Sequence, residues 1–206
     1  MSRRFWLFCL LALALVIVVL YHTAIEQALA SGSWSRLLSA DVAAPTSSLS
    51  LSPVSSSSVL GSPSLSAAFV DRVLSAYRSP AVGLGSALYA DSLHFGIDDA
   101  YALAFFWHES TFGRSGVAVV THSLGNIVCT AGFPSCVDGF RSYPSWQAGA
   151  WDWFHLLATE YLPRGLTTLA QIVPLYAPAS ENNVSAYIQA VTLAVATWRT
   201  GRVEVV

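Results

Sequence analysis

Charged residues are scarce in this chain, and neither sign of charge dominates. Asp, Glu, Lys and Arg make up 11% of the 206 residues, and ten basic against twelve acidic residues leave a formal net charge of −2 at pH 7. A protein that binds nucleic acid through its phosphates needs a strongly basic surface. The composition therefore predicts that nucleic acid is not a partner.

Metal-ligand patterns are also lacking, although the chain has five histidines and three cysteines. The pair His108-Glu109 resembles the start of a zinc-protease helix motif. That motif requires a second histidine three residues after the glutamate, where this chain has Phe112. The remaining histidines show no other ligand spacing, so we expect no metal and no other cofactor.

One long apolar run is present, and it lies at the N-terminus. Residues 5–25 contain no charge, which is long enough to span a bilayer. Two arginines precede the run and a glutamate follows it, so the positive-inside rule leaves the N-terminus in the cytoplasm and exports the rest. We predict a signal anchor over residues 1–30 that holds a single-pass protein in the cell membrane with its domain outside. Cleavage after Ala30, which gives a secreted protein, is the alternative.

A serine-rich segment follows the apolar run. Residues 46–66 contain eleven serines and no charge, a composition that cannot build a core. It predicts a flexible, disordered linker over residues 31–64 and a folded domain over residues 65–206.

Two of the cysteines, Cys129 and Cys136, lie seven residues apart with a glycine and a proline between them. On the exported side of a membrane such a pair predicts a small disulfide loop. A metal site is the weaker alternative, because two thiolates without further ligands do not complete a coordination shell.

Apolar residues of the domain recur mostly at helical spacing. The pattern predicts helices over residues 69–77, 86–93, 146–157, 166–175 and 184–200, and one that begins after Asp98 and ends before Gly113, with Asp98 and Ser145 as caps. Residues 116–137 contain glycines, β-branched residues and both cysteines, which predicts a loop with one or two short strands. The predicted fold class is therefore mainly α, with a short irregular or β insertion.

Glu109 is the most informative residue of the domain. It lies on the last turn of a helix whose residues 100–107 are almost all apolar, so the carboxylate is expected where a core opens into a groove. Desolvation there raises the pKa of the carboxyl group, which suits a general acid near neutral pH. A glutamate that is simply solvated or paired with Arg114 is the alternative.

The other acids have ordinary explanations. Asp98 and Asp99 are predicted as caps, and Asp152 and Glu160 as solvated helix residues. Asp138, beside the cysteine loop, is the only acid of the irregular region that could face Glu109 across a groove. An acid in the turn Asp138-Gly139 is the more ordinary explanation.

A second possible nucleophile is Ser123, because residues 119–125 mimic the elbow of α/β-hydrolases. Thr121 stands where the elbow needs a glycine, and the only histidine after Ser123 is His155, on an amphipathic helix. A serine esterase is therefore a weak alternative.

Four segments in order carry a family resemblance. They are Ala102–Gly116 with its Glu-Ser pair, Leu124–Ile127, Phe140–Trp146 and Tyr176–Pro178. Together they resemble the glucosaminidase family of peptidoglycan hydrolases (glycoside hydrolase family 73), which has a lysozyme-like fold. The resemblance covers roughly residues 65–199.

The resemblance implies an enzyme that hydrolyses the β-1,4 bond between N-acetylglucosamine and N-acetylmuramic acid, with peptidoglycan glycan strands as its partner and Glu109 as the general acid. Tyr176 corresponds to an active-site tyrosine of the family. Ser123 and Asn126 are implied to line the groove, and Tyr143 and Trp146 can stack on a sugar ring unless they pack in the core. A non-catalytic wall-binding module of the same fold is the alternative.

The second catalytic group stays open between two mechanisms. Asp138 can act as a base that activates water, which inverts the sugar. Alternatively the N-acetyl group of the substrate attacks while Tyr176 steadies the oxazolinium, which retains the configuration. The sequence favours the second mechanism, because Asp138 lies in a short loop whose position the disulfide sets for structural reasons.

Overall fold

Residues 57–206 are described by the structure, which is a computed structural model. They form seven α-helices and one two-stranded sheet. The elements in chain order are α1 (Ala67–Ala76), α2 (Gly85–Phe95), α3 (Asp99–Ser110), α4 (Ala118–Thr121), β1 (Cys136–Val137), β2 (Phe140–Arg141), α5 (Trp146–Leu156), α6 (Leu169–Tyr176) and α7 (Val184–Arg199). A π-helical turn (Leu157–Tyr161) and a 3-10 turn (Leu162–Arg164) extend α5. The prediction of a mainly α fold with a short β insertion is confirmed.

Polar side chains set where the main helices begin. Asp98 accepts a hydrogen bond from the N–H of Ala100 at the start of α3, and Ser145 accepts one from Ala148 at the start of α5. Each bond satisfies an N–H that has no partner within its helix. Both predicted caps are therefore confirmed.

Two parts of the secondary-structure prediction differ from the structure by more than two residues. The helix expected from residue 166 begins at Leu169, because the Gln171 side chain accepts a hydrogen bond from the N–H of Thr168 and forms a capping box there. The segment expected to be a loop with strands contains the short helix α4 before its strands. Such boundaries depend on hydrogen bonds that periodicity does not report.

Helix α3 runs through the hydrophobic core and carries Glu109 out of it. Phe105 and Phe106 have no exposed surface, and their ring centroids lie 5.1 and 5.6 Å from that of Trp153 on α5. Helix α7 packs along the same helix. Since residues 100–106 of α3 are buried, its last turn is held at a defined place on the surface.

The folded unit begins before the predicted boundary at residue 65. Val59 is fully buried, and its N–H donates to the carbonyl of Thr167 at 2.8 Å. Leu60 forms a bridge with Ile97. Residues 57–64 are therefore part of the domain, because backbone hydrogen bonds and one buried side chain hold them despite their serine-rich composition.

The predicted signal anchor and most of the predicted linker lie outside the described residues. Within residues 57–206, no helix is both long and apolar enough to cross a bilayer. The predicted anchor over residues 1–30 therefore stays a prediction.

The β insertion contains a hairpin, and the predicted disulfide is confirmed: it joins Cys136, at the start of the hairpin, to Cys129 in the segment before it. Val137 pairs with Phe140, and the turn between them places Asp138 and Gly139 at positive φ, 49° and 83°. Such a turn favours aspartate followed by glycine. Asp138 therefore lies at the tip of a hairpin.

A pair of buried acids ties the start of the domain to α3. Asp99 accepts hydrogen bonds from the N–H groups of Ser64 and Leu65 at 3.0 and 3.1 Å. Asp98 accepts one from Arg199 at 2.6 Å in an ion pair. Asp98 is a cap as predicted, whereas Asp99 holds the segment that precedes α1.

This pair predicts a pH-dependent stability. Burial, with the Asp98 carboxylate beside it, raises the pKa of Asp99 to about 7. A carboxyl group whose pKa rises on folding contributes stability that is present in acid and is lost as the pH rises through its folded pKa. We therefore expect Asp99→Asn to make the free energy of unfolding less dependent on pH between about pH 5 and about pH 8, and to raise it at the higher value.

Denaturant unfolding at both pH values measures the effect. Asp98→Asn is the matched control. The pKa of the Asp98 carboxyl group is lowered, because hydrogen bonds from Ala100, Ser64 and Arg199 outweigh the effect of burial. That variant should lose a similar amount of stability at both pH values, because a carboxylate with a lowered pKa is ionised in the folded and the unfolded chain throughout this range. Equal changes at both pH values in Asp99→Asn would contradict the prediction.

Candidate active site

A groove of about 610 Å³ lies beside the C-terminal end of α3. The hairpin region forms one wall, and the connection between α6 and α7 forms another. The polar side chains that line it are Glu109, Asn126, Thr130, Arg141, Tyr161, Tyr176, Glu181 and Asn182. A volume in the range of about 300–1,000 Å³ is typical of small-ligand sites. The groove therefore brings together three of the residues predicted from sequence, Glu109, Asn126 and Tyr176.

Glu109 is held by hydrogen bonds to both carboxylate oxygens. The hydroxyl of Tyr187 donates to Oε1 at 2.8 Å, and Nδ2 of Asn126 donates to Oε2 at 3.3 Å. The same Nδ2 donates to the backbone carbonyl of Glu109 at 2.8 Å. Arg114 instead donates to the carbonyl of Tyr77. The alternative of a glutamate paired with Arg114 is therefore wrong.

The electrostatics of Glu109 suit a proton donor. Burial raises its pKa, and the hydrogen bonds from Tyr187 and Asn126 offset this only in part. Burial, together with the charge of Glu109, raises the pKa of Tyr187 well above its usual value, so its hydroxyl stays a donor. Glu109 is thus protonated to a greater extent near neutral pH than a solvated glutamate.

Asn126 is placed by a tight turn after α4. Its φ is 46°, a left-handed value that asparagine tolerates better than most residues. The hydroxyl of Ser123 accepts a hydrogen bond from the N–H of Ile127 at 3.0 Å. The hydroxyl of Ser110, next to Glu109, donates to the carbonyl of Leu124 at 2.8 Å. The end of α3 and this turn are therefore joined by hydrogen bonds at Glu109 and at Ser110.

Ser123 does not line the groove, contrary to its predicted role. Its side chain has no exposed surface, and its hydroxyl is used within the turn. A hydroxyl without access to solvent cannot attack an exogenous ester. The structure therefore removes the basis of the esterase alternative.

Tyr143 and Trp146 were predicted as substrate contacts, but neither lines the groove. Tyr143 is buried, and its hydroxyl donates to Asp152 at 2.6 Å. The ring of Trp146 lies against Gly113, and its centroid is 4.6 Å from that of His122. Asp152, predicted to be solvated, is buried in an ion pair instead. Packing accounts for both aromatic residues.

Tyr176 lines the groove and is fixed by its hydroxyl. That hydroxyl donates to the carbonyl of Gly125, and the ring packs edge-on against Phe105 with centroids 5.2 Å apart. Burial, and then the charge of Glu109, raises its pKa well above the usual value. The phenol therefore stays protonated, and its proton is donated to the carbonyl of Gly125.

The second acid of the groove is Glu181, which the sequence reasoning missed. Asp138 is exposed at the hairpin tip and is not among the lining residues, whereas Glu181 is. The N–H of Glu181 donates to the carbonyl of Pro178, in the connection that follows Tyr176. The signal that could have found it is its position just after the Tyr-Ala-Pro segment.

The described part of the chain contains no cluster of potential metal ligands. Among residues 57–206, no group of three or more His, Cys, Asp or Glu side chains lies close enough to hold an ion.

Comparison with known proteins does not identify a family, because no family model and no curated protein matches the chain. The resemblance to glucosaminidases therefore rests on its four sequence segments.

Removing the hydroxyl of Tyr187 should change the pH dependence of any reaction in which Glu109 is the acid. The hydrogen bond from Tyr187 favours the carboxylate and holds the pKa of Glu109 below what burial alone would give. An acid catalyst loses activity as the pH rises through its pKa. We expect Tyr187→Phe to move the alkaline limb of a kcat/KM profile to higher pH. An unchanged limb would contradict this role.

Proposed function

We propose that the domain is a lysozyme-like glycoside hydrolase that cleaves the β-1,4 bond between N-acetylglucosamine and N-acetylmuramic acid in peptidoglycan. The observation that supports this most is the position of Glu109. It is a largely buried acid with a raised pKa, it is hydrogen-bonded through both oxygens, and it lines an open groove. Glycosidases need such an acid to protonate the leaving-group oxygen.

In the proposed reaction Glu109 donates its proton to the glycosidic oxygen as the bond from this oxygen to C1 breaks. The electron pair of that bond stays on the oxygen, and the sugar acquires oxocarbenium character. The carboxylate left on Glu109 keeps the hydrogen bonds from Tyr187 and Asn126. These donors are in place before the charge develops, so they stabilise the transition state without reorganisation.

The second step uses the N-acetyl group of the substrate. Its carbonyl oxygen attacks C1 to form an oxazolinium, and its N–H then donates to the phenol oxygen of Tyr176. Water opens the ring with retention and returns a proton to Glu109. This route is favoured because Tyr176 lines the groove while Asp138 does not.

Tyr176→Phe is therefore expected to lower kcat by about tenfold or more, because an N–H that develops positive charge loses its acceptor. Asp138→Asn should change kcat by less than about twofold, as expected of an exposed turn residue away from the groove. Initial rates on purified peptidoglycan measure both effects.

Glu181→Gln decides between the mechanisms. A loss of kcat in Glu181→Gln as large as that in Glu109→Gln, together with inversion at C1 observed by NMR for the wild-type enzyme, would show that Glu181 acts in place of the N-acetyl group.

Product analysis tests the function itself. Purified full-length protein is incubated with sacculi, and the released muropeptides are analysed by mass spectrometry. We expect new reducing ends on N-acetylglucosamine. Reducing ends on N-acetylmuramic acid, or anhydro-sugars, would show a different reaction. Binding to sacculi without any new reducing sugar would show the wall-binding module instead.

We also propose that the anchor over residues 1–30 holds this domain outside the cell membrane, where it reaches the wall. Protease treatment of intact cells should then remove the domain from the membrane fraction. Recovery of the domain only in the medium would show cleavage after Ala30.

A further inference from the structure

We propose that Arg141 forms an anion subsite in the groove, which binds a carboxylate of the substrate. The identity of that substrate rests on the proposed function. Arg141 lines the same groove as Glu109, although only 12% of its side chain is exposed. A cation in this position contacts a bound ligand without being fully solvated.

The guanidinium of Arg141 is held from three sides. Nη1 donates to Oδ2 of Asp152 at 2.8 Å, and Nη2 donates to the hydroxyl of Thr130 at 3.4 Å. The carbon of the guanidinium lies 4.7 Å from the ring centroid of Phe133. Asp152 is fixed in turn by the hydroxyl of Tyr143 at 2.6 Å. The cation therefore has one orientation before any ligand binds.

Stability alone does not account for this arrangement. A buried ion pair stabilises a protein little compared with apolar residues of similar size, because both charges lose their hydration. Within residues 57–206, Asp152 and Thr130 use only two of the five N–H donors of Arg141. Three donors are thus left: the N–H of Nε, which is buried without a partner in that part of the chain, and one N–H on each terminal nitrogen. The two terminal donors are the ones available to a ligand at the groove.

The donor geometry and charge of the guanidinium indicate that the ligand is a carboxylate. Its planar donors match a carboxylate, and such charge-assisted bonds are stronger than neutral ones. In peptidoglycan the carboxylates belong to the muramic acid residue, either on its lactyl group or on the attached peptide. A polymer of N-acetylglucosamine alone has none. Arg141 therefore makes the groove selective for the muramic acid side of the glycan.

Binding to the full chain carrying Glu109→Gln tests the subsite without requiring cleavage. The three probes are a neutral β-1,4 N-acetylglucosamine oligomer, a peptide-free glycan with lactyl carboxylates, and a peptide-bearing glycan. Adding Arg141→Gln should weaken binding of a carboxylate-bearing probe by about tenfold and of the neutral oligomer by less than about twofold. The anionic probe that loses more affinity shows which carboxylate is bound.

Two controls separate recognition from folding. Arg114→Gln removes the same charge close to Glu109 but outside the groove lining, and should leave all three affinities unchanged. Arg141→Gln with Asp152→Asn removes both charges of the ion pair, so no uncompensated charge stays buried. This variant should keep the thermal unfolding midpoint close to that of the parent and still lose the preference for anionic probes.

Equal losses for neutral and anionic probes would overturn the proposal, because Arg141 would then only shape the groove. Unchanged affinity, or no binding of anionic glycan by the parent, would also overturn it. The proposed function fails separately, when the wild-type chain leaves sacculi intact. An Arg141-dependent preference in the binding series would still stand in that case.

Discussion

Glu109→Gln is expected to remove nearly all lytic activity on purified sacculi while the fold remains. General acid catalysis contributes about 10²–10⁴-fold, and glutamine has no proton to donate to a glycosidic oxygen. The amide keeps a carbonyl oxygen that can accept from Tyr187, so the local packing should persist. Release of reducing sugar from sacculi, measured beside the far-UV circular dichroism spectrum, reports both quantities.

Glu160→Gln is the matched control for this variant. Glu160 is exposed on the π-helical turn and does not line the groove, so its amide should leave the rate unchanged. Wall-lytic activity that survives in Glu109→Gln would refute the assignment of the acid. Equal losses in both variants would point to damage that is unrelated to proton transfer.

Gly149→Ala is expected to lower the free energy of unfolding by about 3 kcal/mol or more. Gly149 lies on α5 where the helix passes the backbone of the segment after α4. A Cβ at this position would lie 2.1 Å from the carbonyl oxygen of His122 and 3.1 Å from Cδ2 of Tyr143. Hydrogen bonds of the His122 and Tyr143 N–H groups to Ala118 and Thr121 hold that backbone in place. The helix must therefore shift.

Helix propensity alone makes the opposite prediction, since alanine is favoured over glycine by about 1 kcal/mol within a helix. The steric overlap should outweigh this gain because the atom in closest contact, the carbonyl oxygen of His122, belongs to the backbone and cannot rotate away. Denaturant unfolding measures the difference. Gln147→Ala, at an exposed position of the same helix, should change stability by no more than about 0.5 kcal/mol. Unchanged or higher stability in Gly149→Ala would contradict the predicted close approach.

Much of the secondary structure could be predicted because its causes are local. Asp98 and Ser145 cap helices by accepting from N–H groups two and three residues further along the chain. The apolar run from residue 100 to residue 107 indicates a buried helix, and this prediction does not require knowing which elements pack against it. The hairpin turn follows from Asp138-Gly139, and the disulfide from two cysteines seven residues apart in one loop.

Predictions about the burial and contacts of individual side chains were less successful. Asp152 carries the polarity of a surface residue, yet Arg141 and Tyr143 surround it. Ser123 lies in a segment that mimics a nucleophile elbow, yet its hydroxyl is buried in a turn. Val59 lies among serines and is nevertheless fully buried. In each case the deciding partner comes from another segment, and composition does not report such partners.

The sequence by itself determined that a helix with apolar residues along most of its length carries Glu109 on its last turn, because periodicity and capping act over a few residues. Only the tertiary structure decided what surrounds that carboxylate. Asn126 is 17 residues away in sequence and Tyr187 is 78, yet both donate to it. Glu181 replaced Asp138 as the second acid of the groove for the same reason. The pKa and orientation of an acid depend on desolvation and on hydrogen-bond geometry, and these exist only after distant segments have packed together.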